Sequence, residues 1–297
     1  MLPERKGRTG VAIDVQTLRT AKGNFSVRRQ GDPAAPLVIG LHGFPDVAST
    51  FDEVGGALAN AGFQFAAPQM RGYAPSPLDV PKTRTLFDTL AEDAIAIADV
   101  IAPGRPFAVV GHDNGAFATY SLLRIAGERA TAAVTLTAAH PAAVFVNSGK
   151  LPRQMWRSRY AMFFQVPGLS EWWASRADFH YIEKLWKRWA APGWTLPRAH
   201  MVEVKKTMGK SWPAPLLHYR AMPFSGDETP IAQPVLYMIG DQDRCVMPEA
   251  GAGQERFFSD AFRSEVVPGV GHFLHLERPD VVTPRIVAWL DAHGRRR

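Results

Sequence analysis

Two kinds of hydrophobic pattern alternate along this chain. In Val11 to Thr20 and Phe25 to Gln30, apolar and polar positions interchange, and Gly31-Asp32-Pro33 closes the pair as a turn, so an antiparallel hairpin is predicted. Downstream the short runs become apolar throughout: Pro36 to Leu41, Phe63 to Ala67, Phe107 to Val110 and Ala132 to Thr137 predict strands buried on both faces. Leu86 to Ile101, set among them, has the spacing of an amphipathic helix. A long stretch without strand-like runs follows, and the pattern resumes with Pro234 to Ile239, Arg263 to Val267 and a closing helix over Pro279 to His293. Such alternation predicts an α/β protein whose mostly parallel central sheet is flanked by helices. The interruption predicts an inserted helical cap over residues 146–225, with residues 1–145 and 226–297 forming the core.

Within the cap, Ile182, Leu185, Trp186 and Trp189 recur at helical spacing. Seven of the eight tryptophans lie there (Trp156, Trp172, Trp173, Trp186, Trp189, Trp194 and Trp212), enough large rings to build the core of a small lid and to line part of an apolar pocket. Charge is segregated too. Of the net +6, the stretch from Val146 to Ser225 carries thirteen Lys/Arg against four Asp/Glu, leaving the remainder slightly acidic. No zinc-finger spacing or glycine-aromatic RNA-binding signature accompanies that excess, so it is expected to be a solvated face rather than a nucleic-acid site, with attraction to acidic lipids as a further possibility.

A length of 297 residues allows one large core with a modest insertion, and 46% hydrophobic with 21% charged residues fits a folded body. The single cysteine, Cys245, cannot form an internal disulfide or a cysteine metal site. The polar start MLPERKGRTG and the lack of a run of about 18 apolar residues lead to the expectation of an unexported, cytoplasmic protein with no stable membrane insertion. Arg295-Arg296-Arg297 is expected to be a frayed end.

The chemistry concentrates in Gly111-His112-Asp113-Asn114-Gly115, which follows a predicted strand and opens a helix. A nucleophile at such a sharp elbow needs small residues two places before and after it, and Gly111 and Gly115 supply them. Because the apex residue is aspartate, attack would come from a carboxylate oxygen and give an ester of the enzyme. That suits displacement at a saturated carbon carrying an epoxide oxygen or a halide. His272, in the loop Gly269-Val270-Gly271-His272-Phe273, is the candidate base. Asp243 is its candidate orienting carboxylate, with Asp241 as a rival that more plausibly braces the turn. His42-Gly43-Phe44-Pro45, at the end of a strand, fits an oxyanion loop in which Phe44 and Asn114 donate backbone N–H groups.

With these motifs in place, the sequence resembles the epoxide hydrolase branch of the α/β-hydrolase fold family over nearly its whole length. The resemblance extends to Tyr160-Ala161-Met162-Phe163-Phe164-Gln165-Val166-Pro167-Gly168 and to His218-Tyr219-Arg220-Ala221-Met222. It implies that Tyr160 and Tyr219 hydrogen-bond the epoxide oxygen and that the product is a vicinal diol. A small apolar epoxide and water are the expected partners, with no cofactor and no metal; the oligomeric state is left open. His42, expected to be mainly structural, joins Phe164 and Trp156 as candidates to border the substrate. Where the family commonly has tryptophan after the nucleophile, this chain has Asn114, which weakens a haloalkane dehalogenase reading; Asn114 and Phe117 replace the arginines of haloacid relatives. A non-catalytic ligand receptor on the same scaffold is the alternative from another class. His272 and His275 have no third ligand at metal spacing, Gly111 to Gly115 lacks the lysine of a phosphate loop, and Glu277-Arg278-Pro279 simply begins the final helix.

Overall fold

The computed structural model describes residues 5–6, 10–223 and 227–295. Nine strands form one sheet: β1 (Arg5–Lys6), β2 (Ala12–Thr20), β3 (Gly23–Gln30), β4 (Leu37–Leu41), β5 (Gln64–Pro68), β6 (Phe107–His112), β7 (Ala130–Leu136), β8 (Val235–Gly240) and β9 (Phe262–Val267). Their spatial order is β1-β2-β3-β5-β4-β6-β7-β8-β9. The first three strands pair antiparallel with one another and with β5, and every pairing from β5 to β9 is parallel. The predicted strands therefore all form, within two residues of their expected ends.

Alternate residues of the central strands feed two cores. Ile39, Val109, Ala133 and Val235 face α2 (Leu86–Ile101) and α3 (Asn114–Ala126), whereas Val38, Val110, Val134 and Leu236 face α1 (Asp52–Asn60) and α11 (Pro279–His293). Burial on both sides explains why these strands read as unbroken apolar runs. After β4 the chain builds β5 on one flank and then crosses to build β6 on the other. A crevice at the carboxyl ends of the strands is the consequence of such a reversal.

Between β7 and residue 223, the described chain contains helices and no strand: α4 (Pro141–Ser148), α5 (Pro152–Arg157), α6 (Arg159–Phe163), α7 (Leu169–Trp189), α8 (Arg198–Ser211) and α9 (Ala214–Ala221). The expected boundary at residues 225 and 226 lies outside the described residues, as do Arg296 and Arg297. Helix α7 is broken at Arg176 to Phe179, where Ala177, Asp178 and Phe179 have positive φ. Its second half buries Ile182, Leu185, Trp186 and Trp189 as the spacing predicted. The tryptophans do not act as one set: Trp186 and Trp189 are fully buried, Trp194 and Trp212 half-buried, and Trp156, Trp172 and Trp173 exposed. Among the described residues, no helix is long and apolar enough to cross a membrane.

Candidate active site

Asp113 sits at the turn between β6 and α3 with φ 51° and ψ −116°, a conformation that non-glycine residues rarely adopt. Close packing holds it there. A Cβ on Gly115 would come within 2.0 Å of the Leu41 carbonyl oxygen, and one on Gly43 within 2.4 Å of the Asp113 Cβ. The elbow is thereby wedged against the loop that follows β4, and the Phe44 N–H donates to Asp113 Oδ1 at 2.9 Å. Asn114 begins α3, so its N–H is among the first-turn donors that have no acceptor inside the helix.

His272 lies beyond β9, in the loop before α10 (Leu274–Glu277). Its Nδ1 is 2.9 Å from Asp243 Oδ2, and its Nε2 is 3.5 Å from Asp113 Oδ2. Asp243 is fixed in turn, because its Oδ1 accepts the N–H groups of Cys245 and Val246 at 2.7 and 2.9 Å. Asp241 points elsewhere and accepts the Gly269 N–H at 2.7 Å, bracing the turn. Burial alone would depress the His272 pKa, but the Asp243 and Asp113 carboxylates overcome it and hold the imidazolium up to about 10. Burial works against Asp113 as well; His272 beside it and the Phe44 N–H nevertheless keep its carboxyl below the ordinary range.

The two tyrosines reach this centre from the helical segment. Tyr160 on α6 and Tyr219 on α9 are both buried, with ring centroids 5.5 Å apart. Tyr219 meets the Phe44 ring edge-on at 5.1 Å, and Tyr160 lies 4.8 Å from Trp189, which is 5.3 Å from His272. The Tyr160 hydroxyl is 3.4 Å from Cys245 Sγ, and the buried Tyr219 hydroxyl faces that of Tyr160. Burial pushes both hydroxyls well above the usual phenol pKa, and the Asp113 charge adds to the effect. Phe164 fills the space between these groups, 5.0 Å from Tyr219, 5.6 Å from Phe44 and 5.9 Å from Tyr160.

Two candidate pocket residues stand apart from the others. Trp156 is 67% exposed with the Arg159 guanidinium stacked on it, so it borders solvent and not the buried centre. Its being one of seven cap tryptophans could not reveal that it faces outward. His42 is buried but fully engaged: Nδ1 donates to the Gly43 carbonyl at 3.0 Å, and Nε2 accepts the Met70 N–H at 3.1 Å. It braces the loop that follows β4. His275 does not join His272 as a metal ligand pair; it lies with Asp46 and His112, their ligand atoms within 4.8 Å of one another. That cluster is flanked by the His200 imidazole, 2.7 Å from Asp46, and by the His272 ring, 5.0 Å from His112. Against burial, Asp46 and the carboxylate partners of His272 raise the pKa of both flanking imidazoles.

Glu277, read from sequence only as part of a helix start, proves central to the His272 loop. Its Oε2 accepts the N–H groups of Gly271 and Ala191 at 2.7 and 3.0 Å, and its Oε1 accepts that of Phe273 at 3.0 Å. One carboxylate thus ties both neighbours of His272 to the end of the helical segment. The stack of Trp186 on Phe273, with centroids 3.5 Å apart, reinforces the same junction. Glu277→Ala would leave three buried donors unsatisfied, at about 1 to 3 kcal/mol each. The expected loss is therefore about 3 kcal/mol or more of unfolding free energy, read from urea denaturation; a change below about 0.5 kcal/mol would show that the loop is held by other means.

Several buried histidines set the acid stability. Burial holds His112, His140 and His218 down at about 4, and it also depresses His42 and His275. Each binds its proton in the unfolded chain near the ordinary value of 6.5 but resists it when folded, so stability present above that value is lost as pH falls toward 4. His200 and His272 act in reverse: their folded pKa values are raised, so their contribution is complete below 6.5 and fades as pH rises through the folded values. Melting temperatures should peak near neutrality and drop more steeply on the acid side, where five groups act together. A flat profile from neutrality down to pH 4 would contradict this assignment.

The sheet order, the strained elbow and the Asp113–His272–Asp243 constellation agree with a profile of the Alpha/beta hydrolase family that matches residues 38–285. The chain belongs to this family. Among curated proteins it is 25% identical to epoxide hydrolase A of Mycobacterium tuberculosis, covering 88% of this chain and 92% of that one. It is also 25% identical to epoxide hydrolase 3 of Xenopus tropicalis, over 87% and 72% of the two chains. Among solved structures, an epoxide hydrolase from metagenomes of hot environments superposes with a TM-score of 0.82 at 23% identity, covering 93% of this chain and 98% of the other. The Bacillus megaterium epoxide hydrolase superposes at 0.81 with 21% identity, covering 93% and 100%.

Proposed function

We propose that this chain is an epoxide hydrolase that converts an epoxide to a vicinal diol in two steps. Asp113 Oδ2 attacks a ring carbon, the carbon–oxygen bond breaks, and the leaving oxygen takes a proton shared with the Tyr160 and Tyr219 hydroxyls. Their raised pKa values keep both phenols protonated through neutral pH, as hydrogen-bond donors to a developing alkoxide must be. Esterification removes the Asp113 charge, which is one of the two anions that hold His272 protonated. The His272 pKa then falls, the ring gives up its proton to make good the one that the phenols passed to the leaving oxygen, and it becomes a base able to take one from water. That water attacks the ester carbonyl carbon, and charge collects on Oδ1, where the Phe44 N–H already stands at 2.9 Å. Asn114 N–H is the second donor, and Asp243 steadies the returning imidazolium. Collapse releases the diol and restores the carboxylate. The helices α5 to α9, within residues 146–225, serve as the cap that carries the two phenols, and no cofactor or metal enters any step.

The observation that carries this reading is the convergence of two buried phenols on a carboxylate elbow that already has an N–H donor and an Asp-supported histidine. Likeness to named epoxide hydrolases supports it. A second reading, halide displacement, would use the same Asp113, His272 and Asp243. A small panel of apolar epoxides and haloalkanes separates the two. Diol formation without halide release is expected. Halide release alone would assign the dehalogenase chemistry, and saturable binding with neither product would leave a receptor.

A further inference from the structure

The first half of α7 wears its apolar side outward. Leu169, Trp172, Trp173 and Arg176 follow the i, i+3, i+4, i+7 spacing of one helical stripe, and the first three are exposed, Trp172 by 53%. Ser170 and Ala174 on the opposite side are fully buried. The neighbouring helices repeat the inversion: Met155 on α5 is exposed while Gln154 is buried, and Met162 on α6 is 70% exposed while Tyr160 turns inward. Large apolar side chains gathered on one surface mark an interaction site far more often than scattered ones do.

Cations are interleaved with them. The Arg159 guanidinium lies 4.2 Å from the Trp156 ring centroid, and that of Arg176 lies 4.4 Å from Trp172 and 5.9 Å from Trp173. Arg153, Arg159 and Arg176 form no ion pair with a carboxylate among the described residues. Glu171, the one acid between Lys150 and Ala177, is occupied by Arg220 at 2.7 Å.

We propose that the face formed by α5, α6 and the first half of α7 docks onto an anionic lipid surface. Indole rings and thioether chains enter the headgroup boundary, and guanidinium groups stacked on those rings meet lipid phosphates. Charge complementarity favours lipid over a second copy of the chain. In a two-fold contact the same patch meets itself, which would press Arg153, Arg159 and Arg176 against their own counterparts with no acid to receive them. Docking stands apart from the reaction, but one consequence rests on the epoxide hydrolase reading: α6 would present Met162 to lipid and Tyr160 to the reacting centre, a short route for an apolar substrate dissolved in the bilayer.

Vesicle sedimentation tests the proposal, with equimolar phosphatidylcholine and phosphatidylglycerol against phosphatidylcholine alone. Retention on the mixed vesicles is expected at low salt, weakening as salt rises, and at least about tenfold poorer on the neutral ones. Trp172→Ser with Trp173→Ser, and separately Arg153→Glu with Arg159→Glu and Arg176→Glu, should each lower retention about tenfold or more while melting like the parent protein. Should either set melt early, the single exposed changes Trp172→Ser and Arg176→Glu serve in its place. Absence of retention, or equal retention on both vesicles that no substitution alters, overturns the proposal. So does a dimer in sedimentation velocity that the tryptophan pair of changes dissolves, since that outcome gives the face to self-association.

Discussion

His272→Gln is expected to stop the enzyme half-way, with the substrate left as an alkyl ester on Asp113. The imidazole stands 3.5 Å from Asp113 Oδ2 and is aligned by Asp243 at 2.9 Å, which suits it to the role of base in the proposed second step. Attack on the epoxide uses the carboxylate and the phenols, all of which the substitution leaves in place, and the Phe44 N–H still supports the carboxylate at 2.9 Å. Turnover should fall by about 10² to 10⁴-fold or more, the usual worth of a general base, while the first half-reaction persists. Intact-protein mass spectrometry should then find the chain heavier by one substrate mass. Epoxide cleavage without any adduct would remove His272 from its assigned role.

Tyr160→Phe combined with Tyr219→Phe should act on the other half. Without a donor the ring oxygen must leave as a bare alkoxide, and about 10² to 10⁴-fold or more in the alkylation rate should disappear in pre-steady-state measurements. Stability should hardly change. The Tyr160 and Tyr219 hydroxyls face each other, so removing both together orphans neither and relieves two desolvated groups. The Tyr160 hydroxyl otherwise gives up only a 3.4 Å contact with Cys245 Sγ. If alkylation survives in the double variant, the phenols pack against the substrate without acting on it, and halide-type chemistry becomes the better account.

Strands buried on both faces were legible because their apolar runs are unambiguous, and the elbow was legible because a sharp turn at a nucleophile demands small neighbours. The 2.0 Å approach that a Gly115 Cβ would make to Leu41 shows that demand directly. The choice between Asp241 and Asp243 also followed from chain position, since the residue nearer the strand end is the one that braces the turn. Tyr160 and Tyr219 came from resemblance alone; nothing in their spacing brings two helices together.

Other features are set by contacts distant in sequence. Glu277 accepts N–H groups from residues 191, 271 and 273, and the Asp46–His112–His275 cluster draws on the loop after β4, the end of β6 and α10. No local pattern encodes either one. Helix α1 escaped the sequence reading because Gly55-Gly56 weakens helical propensity, yet a Gly55 Cβ would lie 2.2 Å from Gln30 Oε1, so glycine is what lets the helix rest on the sheet. The break in α7 at residues 176–179 contains neither glycine nor proline to announce it. Trp156 was misplaced because a count of large rings in the cap does not say which of them face the pocket and which face solvent.

A single turnover with enzyme in excess, run in heavy-oxygen water, tests the covalent route most directly. If Asp113 forms the ester and water attacks its carbonyl carbon, the heavy atom enters the peptide that contains Asp113, and the first diol carries none. Heavy oxygen in that diol, with an unlabelled Asp113 peptide, would mean that water opened the epoxide itself, and the covalent account would be wrong.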